Sequence, residues 1–114
     1  MAKYERTIRA DFNDFANYLE NEVMSRSMTA TQEERSETVR NGVRVQVTAY
    51  ERYSYAGGNR VSMNITLIGH DGMVDIVAMT TGGSQAVFWK VNTWGEETFL
   101  QTLVDGVDTY LASH

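Results

Sequence analysis

The residues Gly82, Gly83 and Ser84 are the first place in this 114-residue chain where type and spacing suggest chemistry. A glycine pair can turn successive backbone N–H groups toward an anion. The stretch lacks the lysine and spacing of a phosphate-binding loop and leads into an apolar run that reads as a strand. A turn that needs positive φ accounts for the same glycines. Ser84 as a nucleophile would need an activating base, its surroundings do not form a G-x-S-x-G elbow, and His70 is the only well-placed imidazole. The 15 acidic residues offer many carboxylate pairs but no spacing that stands out as an acid/base couple. There is no cysteine, which removes thiolate nucleophiles, disulfides and cysteine-ligated metals. A zinc site would have to combine His70 with the terminal His114 and carboxylates, and none is expected. No catalytic residue, metal or cofactor is therefore assigned, and a non-enzymatic role is expected.

Partners are bounded by charge. The net charge of −5 and a pI near 4.9 argue against nucleic acid, whose binding depends on neutralising phosphates. Eight of the ten cations are arginines, and Arg35, Arg40, Arg44, Arg52 and Arg60 fall in expected strands while the expected helices are almost wholly acidic. Soluble helical surfaces and a sheet guarded by charge explain this distribution. No apolar run approaches the length of a bilayer span, so no membrane association is expected. Met1 to Glu5 contains no apolar core of a secretory signal, and a cytoplasmic location is the expectation. A cluster of aromatic residues (Tyr50, Tyr53, Tyr55, Phe88, Trp89 and Trp94) suits either an interface or the ends of a core.

The elements that must position these residues are organised around Val43 to Thr81. Val61, Met63, Ile65 and Leu67 alternate with Ser62, Asn64 and Thr66, the period of a half-buried strand. Val74, Ile76 and Ala78 follow, with Asp71 and Gly72 between the two sets. A two-residue turn at Asp71–Gly72 pairs His70 with Met73, Leu67 with Ile76 and Ile65 with Ala78, which gathers the apolar residues on one face.

Upstream, Tyr4 to Ala10 alternates as a first strand. Asp11 caps a helix whose apolar positions are Phe12, Phe15, Ala16, Leu19 and Val23, ending near Met24 or Ser25. Met28 to Val39 reads as a charged, exposed edge strand. Asn41–Gly42 turns the chain into a strand with Val43, Val45, Val47 and Ala49 on the apolar side and Arg44, Gln46, Thr48 and Tyr50 on the other. Continued, this alternation carries Glu51 onto the apolar side. Either a bulge near Tyr50 re-aims the strand or Glu51 enters the core, and the cost of an unpaired buried carboxylate favours the bulge. A longer loop or bulge is needed at Gly57–Gly58. Ala86 to Val91 reads as a last strand, Thr93 and Glu96 as a capping box, and Trp94–Leu111 as a helix about 27 Å long with Gly106 inside it.

One α+β domain over residues 1–114 follows: a curved antiparallel sheet with an N-terminal helix and a long C-terminal helix on one face, in the order β-α-β4/5-α. This order resembles the TATA-box-binding-protein-like and helix-grip architectures. Two blocks, Tyr50–Val61 and Gly82–Glu96, resemble a family of small bacterial proteins known only as a domain of unknown function, a likeness that implies no activity or ligand.

Two roles are expected from this reading. The first is a non-catalytic interaction module, a homodimer formed through the sheet face opposite the helices by Tyr50, Ile68, Met73, Val77 and Met79. The alternative is a binder of a small apolar ligand held between the C-terminal helix and the sheet. Its candidate contacts are Glu51, Arg52, Tyr53, Tyr55, Gly82, Gly83, Ser84, Gln85 and Trp94.

Overall fold

Asparagine and aspartate followed by glycine tolerate the left-handed backbone that tight hairpins demand, and this chain uses the pairing twice. In a computed structural model, which describes residues 2–26, 29–53, 60–82 and 89–114, Asn41 and Gly42 have φ of 52° and 81°, and Asp71 and Gly72 have 54° and 74°. These turns join β2 (Thr31–Arg40) to β3 (Val43–Tyr53) and β4 (Arg60–His70) to β5 (Met73–Gly82). Preceding them are β1 (Ala2–Arg9) and α1 (Phe12–Arg26), and α2 (Trp89–Ser113) ends the chain. The five strands form one antiparallel sheet in the order β1-β5-β4-β3-β2.

The hairpin register is the expected one: His70 pairs with Met73, Leu67 with Ile76 and Ile65 with Ala78. Because strand neighbours share a face, Val61, Met63, Ile65 and Leu67 of β4 lie beside Val74, Ile76 and Ala78 of β5, all buried. Helix α2 packs over β5, β4 and β1 and against α1. Its buried stripe is Phe99, Leu100, Leu103, Val107 and Tyr110, and α1 contributes Phe15, Ala16, Leu19 and Val23. The α1 start is set by Asp11, whose Oδ2 accepts the Asp14 N–H at 3.0 Å. Gly69 of β4 makes room for the first residue of α1, since a Cβ there would collide with the Phe12 ring. Gly106 serves a close approach too, but to α1: its carbonyl accepts the Tyr18 hydroxyl at 3.0 Å and Glu22 lies against it.

Three expectations are corrected. Strand β3 is turned over. Gln46 pairs with Leu67 and Tyr50 with Met63, so Arg44, Gln46, Thr48, Tyr50 and Arg52 lie under the helices, and Val43, Val45, Val47 and Ala49 lie on the far face. No bulge re-aims β3, whose pairing with β4 is continuous from Arg44 to Tyr53; Glu51 reaches the far face by plain alternation. The register shift lies instead in edge strand β2, between Gln32 and Glu34. At the other end, Trp89 to Val91 begin α2 rather than ending a strand, which leaves Thr93 and Glu96 inside the helix instead of capping it. Both neighbours of β5 are already taken, by β1 and β4, so a strand following directly has no adjacent edge to pair with. The expected loop at Gly57–Gly58 and residues Ala86 to Phe88 lie outside the described residues.

Candidate functional site

The side of the sheet away from the helices has no element over it among the described residues, and register alone lays out its chemistry. From β1 to β2 the middle row reads Glu5, Val77, Thr66, Val47 and Ser36. On one side of it lies Thr7, Asp75, Ile68, Val45 and Thr38, then Arg9, Met73, His70, Val43 and Arg40. On the other lies Lys3, Met79, Asn64, Ala49 and Glu34. The centre of this open face is therefore aliphatic and its corners are charged. Val47 and Met79 are 39% and 42% exposed, well beyond what aliphatic side chains on a finished core show.

Of the five residues expected at an interface, Ile68, Met73, Val77 and Met79 lie on this open face. Tyr50 does not, and its placement there is corrected. It is 2% exposed beneath the helices, and burial, with the Glu20 carboxylate adding to it, pushes its phenol up to about 12 against the opposing pull of Arg35. Three valines the expectation left out, Val43, Val45 and Val47, extend the open patch into β3. Their signal was in the sequence as an alternation; its phase relative to the helices was not.

Under α1 the sheet is polar. Arg35 reaches the Glu20 carboxylate at 3.0 Å, and with the Gln46 amide oriented to suit both neighbours the Arg35 Nε donates to its oxygen at 3.3 Å while its nitrogen donates to Glu37 at 3.1 Å. Arg44 donates to Asn13 at 2.7 Å and lies over the Phe12 ring at 4.3 Å. Arg44, Gln46 and Tyr50, which β3 turns toward α1, thus each meet a polar group on α1 or β2, which removes much of the penalty of burying them. A cavity between α1 and the sheet, lined by Leu19, Thr48, Tyr50 and Ile65 among others, measures about 10 Å³, the room of a single water.

The ligand candidates do not gather at one point. Glu51 and Tyr53 are on the open face, where Arg60 pairs with Glu51 at 3.0 Å and stacks 5.5 Å from the Tyr53 ring. Arg52 lies on the opposite face, 4.6 Å from the Phe99 ring. Gly82 ends β5 opposite Val61, and Trp94 falls within α2. Tyr55, Gly83, Ser84 and Gln85 lie outside the described residues.

His70 is the best-connected titratable group on the open face. Its Nε2 lies 3.0 Å from Asp75 and its Nδ1 3.4 Å from Asp71, and Asp75 also accepts the Thr7 hydroxyl at 2.7 Å. The two carboxylates raise the imidazole pKa, Asp75 first. Thr7 and His70 in turn hold Asp75 below its usual value. The hydroxyl reaches the carboxylate rather than the imidazole, and both ring nitrogens face acceptors, so this chain of groups does not activate Thr7 as a nucleophile. Among the described residues no three His, Asp or Glu side chains converge as a metal ion requires, and no helix is long and apolar enough to cross a membrane.

Residues 1–111 match the model of DUF6054, a family of unknown function, and the chain belongs to that family. No curated protein matches the chain.

Proposed function

We propose that the protein is a non-catalytic interaction module that self-associates, as a homodimer, through the open face of its sheet. The observation that supports this reading is the orientation of β3: its aliphatic residues Val43, Val45 and Val47 point away from the helices and join Ile68, Val77, Met73 and Met79. A strand that turns its polar face to the core and its valines outward has its hydrophobic driving force on the side away from the helices.

Size fits a dimer. Five strands spaced about 4.8 Å apart and ten residues long at about 3.3 Å each present roughly 800 Å², the area one partner contributes to a standard stable interface. Sheets packed face to face in this way form ordinary sandwich cores. A cysteine-free chain needs no oxidising compartment, which fits a cytoplasmic working location.

Sedimentation equilibrium at micromolar concentration tests the reading. The wild type should sediment as a dimer, and Val47→Lys as a folded monomer with unchanged circular dichroism. A wild type that stays monomeric over the whole range overturns it, whether or not the face then proves to take a lipid surface, another protein or a small apolar ligand.

A further inference from the structure

The charges at the corners of the open face discriminate between the ways two copies could meet. Aligned sheet packing keeps strand directions within about 30° of each other, so a two-fold axis in the interface runs either along the strands or across them. An axis along the central strand β4 would set β1 of one copy over β2 of the other and keep every row level. Arg9 would then face Arg40, and His70, with carboxylates at both ring nitrogens, would face its own copy. Arg9 and Arg40 of both copies would be crowded at one end of the interface, an arrangement that like charges oppose, while Lys3 would face Glu34 toward the other end.

An axis across the strands reverses the rows. The Arg40 end of β2 is carried to the Thr31 end, where Thr31 pairs with Glu51 and Glu34 is the next open-face residue along β2. Asp75 comes level with Met79 and its neighbour Lys3, and His70 comes level with Ser62. In the middle row Val47 and Val77 each meet themselves beside Thr66, so the aliphatic centre is preserved. We infer that the partner is a second copy of this chain related by a two-fold axis running across the strands, with the Arg40 corner of each copy against the Glu34 corner of the other, beside a Glu51 already paired with Arg60. This inference rests on the proposed self-association and adds its orientation.

The absence of native cysteine makes the test direct. Single cysteines at Glu5, on the middle row of edge strand β1, and at Ser62, toward one end of β4, can each carry a spin label. With sheets about 10 Å apart, strands about 4.8 Å apart and a rise of about 3.3 Å per residue, an axis across the strands puts the two Glu5 positions roughly 10 Å apart and the two Ser62 positions roughly 28 Å apart. An axis along the strands predicts the reverse, roughly 22 Å at Glu5 and roughly 10 Å at Ser62. Strong dipolar broadening at position 5 with a long separation at position 62 is the expected result. Short at 62 and long at 5 overturns the orientation while leaving self-association through this face intact. Labels that show no coupling, in a protein that sediments as a monomer, defeat the proposed function itself. A charge-reversal control separates charge from packing: Arg40→Glu should weaken the dimer at least tenfold at low salt, and an unchanged affinity would remove the role assigned to that corner.

Discussion

Tyr50 is a phenol buried under α1 beside the Glu20–Arg35 pair, and its titration reports that environment. Its folded value of about 12 lies above the ordinary phenol near 10, so the neutral form is the one the fold favours. The linkage has one sign: the contribution is complete below about pH 10, where both states hold the proton, and is lost as pH rises from about 10 through 12 and the unfolded chain ionises first. Chemical denaturation should therefore show a loss of stability above pH 10, and Tyr50→Phe should remove from it a part approaching about 2 kcal/mol. Tyr110, raised to about 12 by burial and by its hydrogen bond to Asp14, keeps the Tyr50→Phe variant from becoming fully flat. His70 behaves in the opposite range. Its pKa is raised by Asp75 and then Asp71, so the stabilisation is present below about pH 6.5 and disappears as pH climbs through the folded value. An NMR titration of His70 should give a midpoint above 6.5, and Asp75→Asn should bring it down; a midpoint insensitive to Asp75 would mean the 3.0 Å contact is not kept in solution.

At the level of elements the long helix is the principal cover of the sheet, and Leu103 sits in the middle of its buried stripe with no exposed surface. Leu103→Ala should lower unfolding free energy by about 2–5 kcal/mol, the range for a buried leucine whose site cannot collapse. Gly69→Ala tests the seat of α1: the new methyl must displace a Phe12 ring already held under Arg44, at a cost of about 1–3 kcal/mol, whereas Gly72→Ala would meet only open space and the strain of a φ of 74°. The sequence announced these elements unevenly, for physical reasons. The β4–β5 hairpin was legible to the residue because Asp71–Gly72 and the apolar alternation select the same register independently. The edge strand β2 was legible from its charges. Strand β3 was not, since Thr48 and Tyr50 can line a core as readily as Val45 and Val47, and which set faces the helices depends on partners in other elements. Gln46, Arg44 and Tyr50 face inward because α1 and β2 supply Asn13, Glu37 and Arg35 to meet them. The same ambiguity put Tyr50 on the open face and left the three valines off it.

For the molecule as a whole, the helices and the open face divide the apolar surface of one thin sheet, and a monomer finishes only the helical side. Under the proposed self-association, folding and association should be linked by mass action, because ligand binding to the native state raises stability and a second copy of the chain would be such a ligand. If the protein self-associates as proposed, the partner's concentration is its own and the thermal midpoint should climb as the protein is concentrated, a dependence that a monomeric domain lacks. Val47 sits on the middle row, in contact with solvent rather than with the core, so Val47→Lys should leave the monomer's packing intact while placing a charge at the centre of the interface. Scanning calorimetry over a hundredfold range of concentration should give midpoints that rise for the wild type and stay level for Val47→Lys, the two converging at the dilute end. Leu103→Ala provides the contrast: it lowers every midpoint yet keeps the slope, because its cavity lies on the helical side. A wild-type slope of zero would leave the open face without a second copy as partner, and a Val47→Lys curve displaced downward even at the dilute end would assign Val47 to the monomer's own stability.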